Sequence, residues 1–104
     1  MPLNLAAWAA DASANAINEL GKTDSVMLGT FDMSASVLNR ISEGTQTMAI
    51  DQQPYLQGFL ATSMLFANLK FGTEIATQPV LTGPAIVDAS NVASAIAGVE
   101  LGAR

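Results

Sequence analysis

The sequence predicts an α/β fold of three to four mostly parallel strands with flanking helices. Three observations carry that expectation. Two short apolar runs, Val26 to Phe31 and Thr47 to Ile50, each end in polar side chains, at Asp32 and at Asp51-Gln52-Gln53. A segment with helical spacing separates them, long enough to return the second strand beside the first. Gly21, Gly44 and Gly72 stand where helices of this layout would end.

Taken in order, Leu3 to Leu20 is rich in alanine and reads as a helix, with Trp8, Ile17 and Leu20 as its large apolar members and Gly21 at its close. Lys22 to Ser25 makes a turn, and Val26 to Phe31 is a strand that stops at Asp32. Ser34 can cap a helix whose Val37, Leu38 and Ile41 share one face, ending at Gly44. The strand Thr47 to Ile50 follows. Parallel crossovers in one sheet are almost always right-handed, so this strand lies beside the first and both polar ends share one edge. Pro54 favours the first turn of a helix from Tyr55 to Phe71, closed by Gly72, with Leu56, Phe59, Leu60, Met64, Leu65 and Leu69 as a wide apolar face. Pro79 to Thr82 and Ala85 to Val87 read as two further strands, broken at Gly83-Pro84. A last helix from about Asn91 to Glu100 carries Val92, Ile96 and Val99. This alternation argues for a mostly parallel α/β layer with few strands.

The 104 residues suit a single domain, 1–104, with one core. Half are apolar and only 12% are charged, leaving little polar surface, so part of the apolar surface is expected to be covered by another chain or copy. The net charge of -5, against Lys22, Arg40, Lys70 and Arg104, gives no electrostatic basis for nucleic-acid binding. With no Cys and no His, the chain cannot form disulfides, thiolate or histidine metal sites, or a Ser-His-Asp arrangement. The glycines fit neither a dinucleotide fingerprint nor a P-loop, so no cofactor is expected. The start of the chain lacks the basic and apolar pattern of a secretory signal.

In open α/β sheets ligands bind beyond the carboxyl ends of the strands, which points to Asp32 and the Asp51-Gln52-Gln53 turn. A carboxylate accepts two hydrogen bonds, while a glutamine donates and accepts, a combination suited to a neutral sugar or polyol. Asp32 has a second use open to it, capping the helix that starts near Ser34. Asp51 and Gln52 face opposite sides of a continuing strand, so one reaches the crevice and the other holds the turn. Asp32 and Asp51 are the only plausible pair for glycoside hydrolysis, and nothing around them marks one as an acid. No enzymatic activity is therefore expected. Trp8 reads as a core residue, and Tyr55 is the better stacking candidate.

The runs Gly21 to Asp24, Gly29 to Asp32, Ala49 to Gly58 and Leu81 to Pro84, with Val87-Asp88 and Ser90-Asn91, resemble the C-terminal portion of periplasmic sugar-binding proteins of ABC transporters. These form the type I, ribose-binding-protein-like family. The Asp-Gln-Gln-Pro-Tyr block at 51–55 is the most specific of these motifs. The resemblance implies a partial periplasmic-binding-protein type I fold, a periplasmic location, a sugar or polyol ligand and an ABC transporter permease as partner of the full-length protein. It also implies sugar contacts for the two matching positions, Asp32 and Gln52. A further family contact, an Asn or Asp at the preceding strand end, falls at Ala6 or Ala7 here, with Asn4 nearby.

By the same resemblance the N-terminal lobe is absent, and the Tyr55 to Phe71 helix with the strand after it would belong to the other lobe. Apolar faces left uncovered in this way lead to the expectation of a homo-oligomer, most simply a two-fold dimer. Three readings of function follow: a truncated or split solute-binding component of a sugar ABC transporter, a standalone self-associating protein that keeps the fold without sugar binding, and the sensing half of a transcription regulator. The third lacks any DNA-binding helix pair.

Overall fold

The computed structural model describes residues 1–104, and its elements run β1 (Leu3–Asn4), α1 (Ala7–Glu19), β2 (Gly29–Phe31), α2 (Ala35–Glu43), β3 (Met48–Asp51), α3 (Pro54–Phe71), β4 (Ala85–Asp88) and α4 (Val92–Glu100). The four strands form one sheet in the order β1-β2-β3-β4. β1, β2 and β3 are parallel and β4 is antiparallel to β3. The β2-α2-β3 unit therefore has the expected crossover, with Phe31 opposite Ile50 in register.

Three expectations need correction. The first helix starts at Ala7, because Leu3 and Asn4 pair with Gly29 and Thr30 as an edge strand. The strand expected from Val26 is hydrogen-bonded as such only from Gly29, although Leu28 is buried. Pro79 to Thr82 is extended chain outside the sheet, leaving Ala85–Asp88 as the only strand of the expected pair. Proline has no N–H to give to a ladder, which weakens the first of those two runs as a strand.

α1, α2 and α4 share one core on one face of the sheet. Ala10 of α1, Val37, Leu38 and Ile41 of α2, and Val92 and Ala95 of α4 pack with Ala49 and Val87, which lie opposite each other on β3 and β4. Ser34 caps α2 by accepting a hydrogen bond from Val37 N at 3.2 Å, and Gly44 ends it with φ +80°. That left-handed position has no Cβ penalty for glycine.

α3 is different. None of its residues is buried, it is apolar nearly all round, and it packs substantially on no other element. It projects from the carboxyl edge of the sheet, and the chain returns along it through residues 73–82, giving an elongated molecule of 59 × 24 × 20 Å. No helix is long and apolar enough to cross a membrane.

Candidate functional site

β2 and β3 are parallel neighbours, so their carboxyl ends deliver Asp32 and Gln52 to the same edge. Asp32 N donates to Ile50 O at 3.0 Å, which continues the ladder one residue past β2. Asp32 then turns with φ +66°, a left-handed position that Asp tolerates better than most residues. This turn aims its carboxylate across the edge, where Oδ1 accepts a hydrogen bond from Gln52 Nε2 at 2.6 Å. Asp32 does not cap α2; Ser34 does.

Asp51 and Gln52 divide the work as alternation requires. Asp51 is buried and holds the turn: its Oδ1 accepts from Gln53 N at 2.8 Å, and its Oδ2 accepts from Arg104 Nε at 2.7 Å. That arrangement occupies Asp51 structurally and separates it from any role paired with Asp32 in hydrolysis. Gln52 points outward and is exposed.

The backbone behind Gln52 is braced. Its carbonyl accepts from Gln57 Nε2 at 2.7 Å and from Thr82 Oγ1 at 3.1 Å, while Gln53, itself left-handed at φ +55°, donates through Nε2 to Thr82 O. Asp32 and Asp51 also line a cavity of about 230 Å³ with Ser34, Pro54, Val99 and Arg104. The edge thus presents Asp32 Oδ2, Gln52 Oε1 and the second Gln52 N–H to a visitor: two acceptors and one donor.

A second polar network pins the loop that follows Asp32. Asp11 Oδ1 on α1 accepts from Ser36 Oγ and from Arg40 Nη1, each at 2.8 Å, and Ser36 Oγ lies 2.9 Å from the capping Ser34 Oγ. The Ser36 hydrogen bond, followed by that from Arg40, holds the Asp11 carboxyl below the usual value of 3.8. The Val87-Asp88 and Ser90-Asn91 motif is also a turn. Asp88 Oδ1 accepts from Ser90 N at 2.8 Å, and Asn91 Oδ1 accepts from Asp88 N at 3.0 Å.

One further sequence expectation is overturned, and two other candidates are placed. Trp8 is 77% exposed rather than in the core, because Ala7 and Ala10 make the contact with the sheet side. Tyr55 is exposed and stacks on Phe59 with ring centroids 6.4 Å apart. Asn4 is engaged in the fold, accepting from Ser13 Oγ at 3.0 Å. Arg104 and Thr82 were not anticipated, since 53 residues separate Arg104 from Asp51 and 30 separate Thr82 from Gln52. Gln57 had a usable signal, lying one helical turn after Gln53 near the start of α3.

A parallel β-α-β edge that offers hydrogen-bonding side chains, one carboxylate of its neighbourhood being consumed by an ion pair, gives an α/β fold with a polar corner at its carboxyl edge. Comparison with known proteins makes this specific: residues 3–74 match the family described as periplasmic binding protein domain, and the chain belongs to it. The family's description is one of binding, and the relatives that follow are named for the sugars they bind or the carbohydrate they transport. The chain is 30% identical over 76 residues to the xylose/arabinose-binding protein XylF of Sulfolobus acidocaldarius, covering 73% of this chain and 19% of that protein.

Among solved structures, a carbohydrate transporter from Acidothermus cellulolyticus in complex with myo-inositol is 35% identical, with a TM-score of 0.82 over 98% of this chain and 35% of the other. AraP, an arabinose-binding protein from Geobacillus stearothermophilus, shares the fold at 23% identity, with a TM-score of 0.76 over 88% of this chain and 34% of its own. The chain therefore spans about a third or less of the lengths of these relatives.

Proposed function

We propose that the chain is the recognition piece of a solute-binding protein of a sugar ABC transporter, taking a sugar or polyol non-catalytically through Asp32 and Gln52. One observation carries this reading. Gln52 Nε2 donates to Asp32 Oδ1 at 2.6 Å on the carboxyl edge of two parallel strands, which orients both side chains and leaves two acceptors and a donor facing outward. Adjacent hydroxyls of a polyol fit such a set, one donating to each acceptor. The names of the relatives support the ligand class: xylose or arabinose for one, myo-inositol for the 35% identical structure.

In this reading residues 1–104 form a single domain equivalent to the C-terminal part of such a protein. Its setting is periplasmic, its larger partner a transporter permease. The chain associates with itself, and no cofactor takes part. Isothermal calorimetry with xylose, arabinose, glucose and myo-inositol tests it. Heat with at least one, lost in Asp32→Ala, supports the reading, and no heat with any of them overturns it for this chain.

A second reading, a standalone self-associating protein that keeps the fold without sugar binding, has its own support. Only 13 of 104 residues are buried, and large apolar side chains such as Phe59, Phe66 and Leu69 are exposed along α3. The same calorimetry distinguishes the two, because only the first predicts heat.

A further inference from the structure

Asp32 is one of two residues other than glycine in the left-handed region, and the aim of its carboxylate at Gln52 depends on that turn. A side chain with a Cβ leaves this region when free to do so, so a residue kept there is held by its surroundings. On the strand side the hold is plain: Asp32 N donates to Ile50 O at 3.0 Å. On the other side only Met33, which packs against the core, separates Asp32 from Ser34.

Ser34 is fixed by a chain of hydrogen bonds whose direction follows from counting protons. Ser36 Oγ has one proton and gives it to Asp11 Oδ1 at 2.8 Å. The 2.9 Å contact between the two serine hydroxyls is therefore donated by Ser34. Ser34 Oγ in turn accepts from Val37 N at 3.2 Å. At the far end Arg40 Nη1 holds the same aspartate oxygen at 2.8 Å, and Arg40 Nε is anchored on Oε1 of the buried Gln46 at 3.0 Å. All the donors point one way, from a backbone N–H through two hydroxyls to a carboxylate, an arrangement in which each bond polarises the next.

We propose that Asp11 and Ser36 are positioning residues of the sugar site: through Ser34 they hold the left-handed turn at Asp32, and with it the aim of the Asp32 carboxylate. Neither residue bonds to Asp32 or Gln52 itself. A helix cap needs only Ser34 and Val37 N, so the two further members of the chain are what ties the turn to α1.

The turn also has room to relax. The cavity of about 230 Å³ has Asp32, Met33 and Ser34 along its wall, so a return to ordinary backbone angles meets space rather than the close packing of an interior. That return carries the carboxylate away from Gln52, whose side chain has no other partner.

The proposal rests on reading Asp32 and Gln52 as the sugar contacts, and its first test uses no sugar. Ser36→Val and Ser36→Thr have the same shape and differ by one hydroxyl, so any packing cost is common to both. Nuclear magnetic resonance of the ligand-free chain reports the aim through the Gln52 side-chain amide, assigned by its loss in Gln52→Ala. The proton bonded to Asp32 is expected downfield of its twin. This separation should collapse toward that of a free glutamine in Ser36→Val and Asp11→Ala, and return in Ser36→Thr. An unchanged separation in both, with circular dichroism showing both folded, overturns the proposal and leaves the network as a staple between α1 and α2.

Calorimetry with a sugar that binds the native chain is the second arm. Releasing the turn lowers the competent population, so affinity is expected to fall about tenfold in Ser36→Val. A fall of less than about twofold overturns the positioning role while leaving the sugar reading in place. Absence of heat with the native chain defeats the sugar reading alone, and the Gln52 resonance then still decides whether Asp11 and Ser36 hold the turn.

Discussion

Arg104 donates through Nε to Oδ2 of Asp51 at 2.7 Å, and the aspartate is buried while the arginine side chain is one quarter exposed. Through this pair the end of the chain holds the turn from which Gln52 projects. Truncating the arginine would leave a charge buried in the strand end with only Gln53 N to satisfy it. Arg104→Ala is expected to cost about 2–4 kcal/mol, somewhat less than a fully buried pair because of the partial exposure. Urea denaturation monitored by circular dichroism measures it, and a loss below about 1 kcal/mol would contradict a structural role for the pair.

Asp32 and Gln52 are expected to matter for ligand and little for the fold. Gln52→Ala removes an exposed side chain whose only partner is Asp32, so the melting temperature should hold while sugar affinity falls about fivefold, the effect of one neutral hydrogen bond. Calorimetry and a thermal melt on the same preparation separate the two effects. Equal loss in both would make Gln52 a structural residue.

The Ser34 cap permits a clean test. Its hydroxyl accepts from Val37 N at the start of α2, immediately after the loop that carries Asp32. Ser34→Ala should destabilise the protein by about 1 kcal/mol, and Ser34→Asp should recover most of it. Chemical denaturation of the three proteins decides, and Ser34→Asp stability at the level of Ser34→Ala would refute the cap.

Acid should act through Asp11. Its folded value lies below the usual 3.8, chiefly because Ser36 and then Arg40 hydrogen-bond the carboxylate. A carboxyl with a depressed folded value contributes stability that is full above its unfolded value and is lost as pH falls through the folded one. The contribution is therefore complete at about pH 5 and is lost below about pH 4. Asp11 is nearly half exposed, so solvent screening keeps the effect small. Melts at about pH 5 and about pH 3 should show a smaller drop for Asp11→Asn than for the native chain, and equal drops would remove Asp11 from the account.

Much of the fold was legible because local signals agreed with it. Ser34, Gly44, Pro54 and Gly72 fixed the ends of α2 and α3, and the apolar positions Val37, Leu38 and Ile41 all proved buried. The two polar strand ends placed Asp32 and Gln52 together because a parallel crossover leaves few alternatives. Long-range effects were not legible. Leu3–Asn4 is a strand only because β2 offers an edge to pair with, and alanine-rich sequence around it favours a helix. Trp8 faces solvent because small alanines allow α1 to approach the sheet closely, a matter of which helical face is used. Arg104 reaches Asp51 across 53 residues with no pattern between them to announce it.

The backbone at Asp32 has a consequence for how this protein would respond to selection. A left-handed φ of +66° costs a side-chain-bearing residue about 1 kcal/mol that glycine escapes. Heat-driven evolution in the laboratory would accordingly find Asp32→Gly early, trading the carboxylate for hardiness. Persistence of aspartate under such pressure would signal that something besides robustness is being rewarded at that corner.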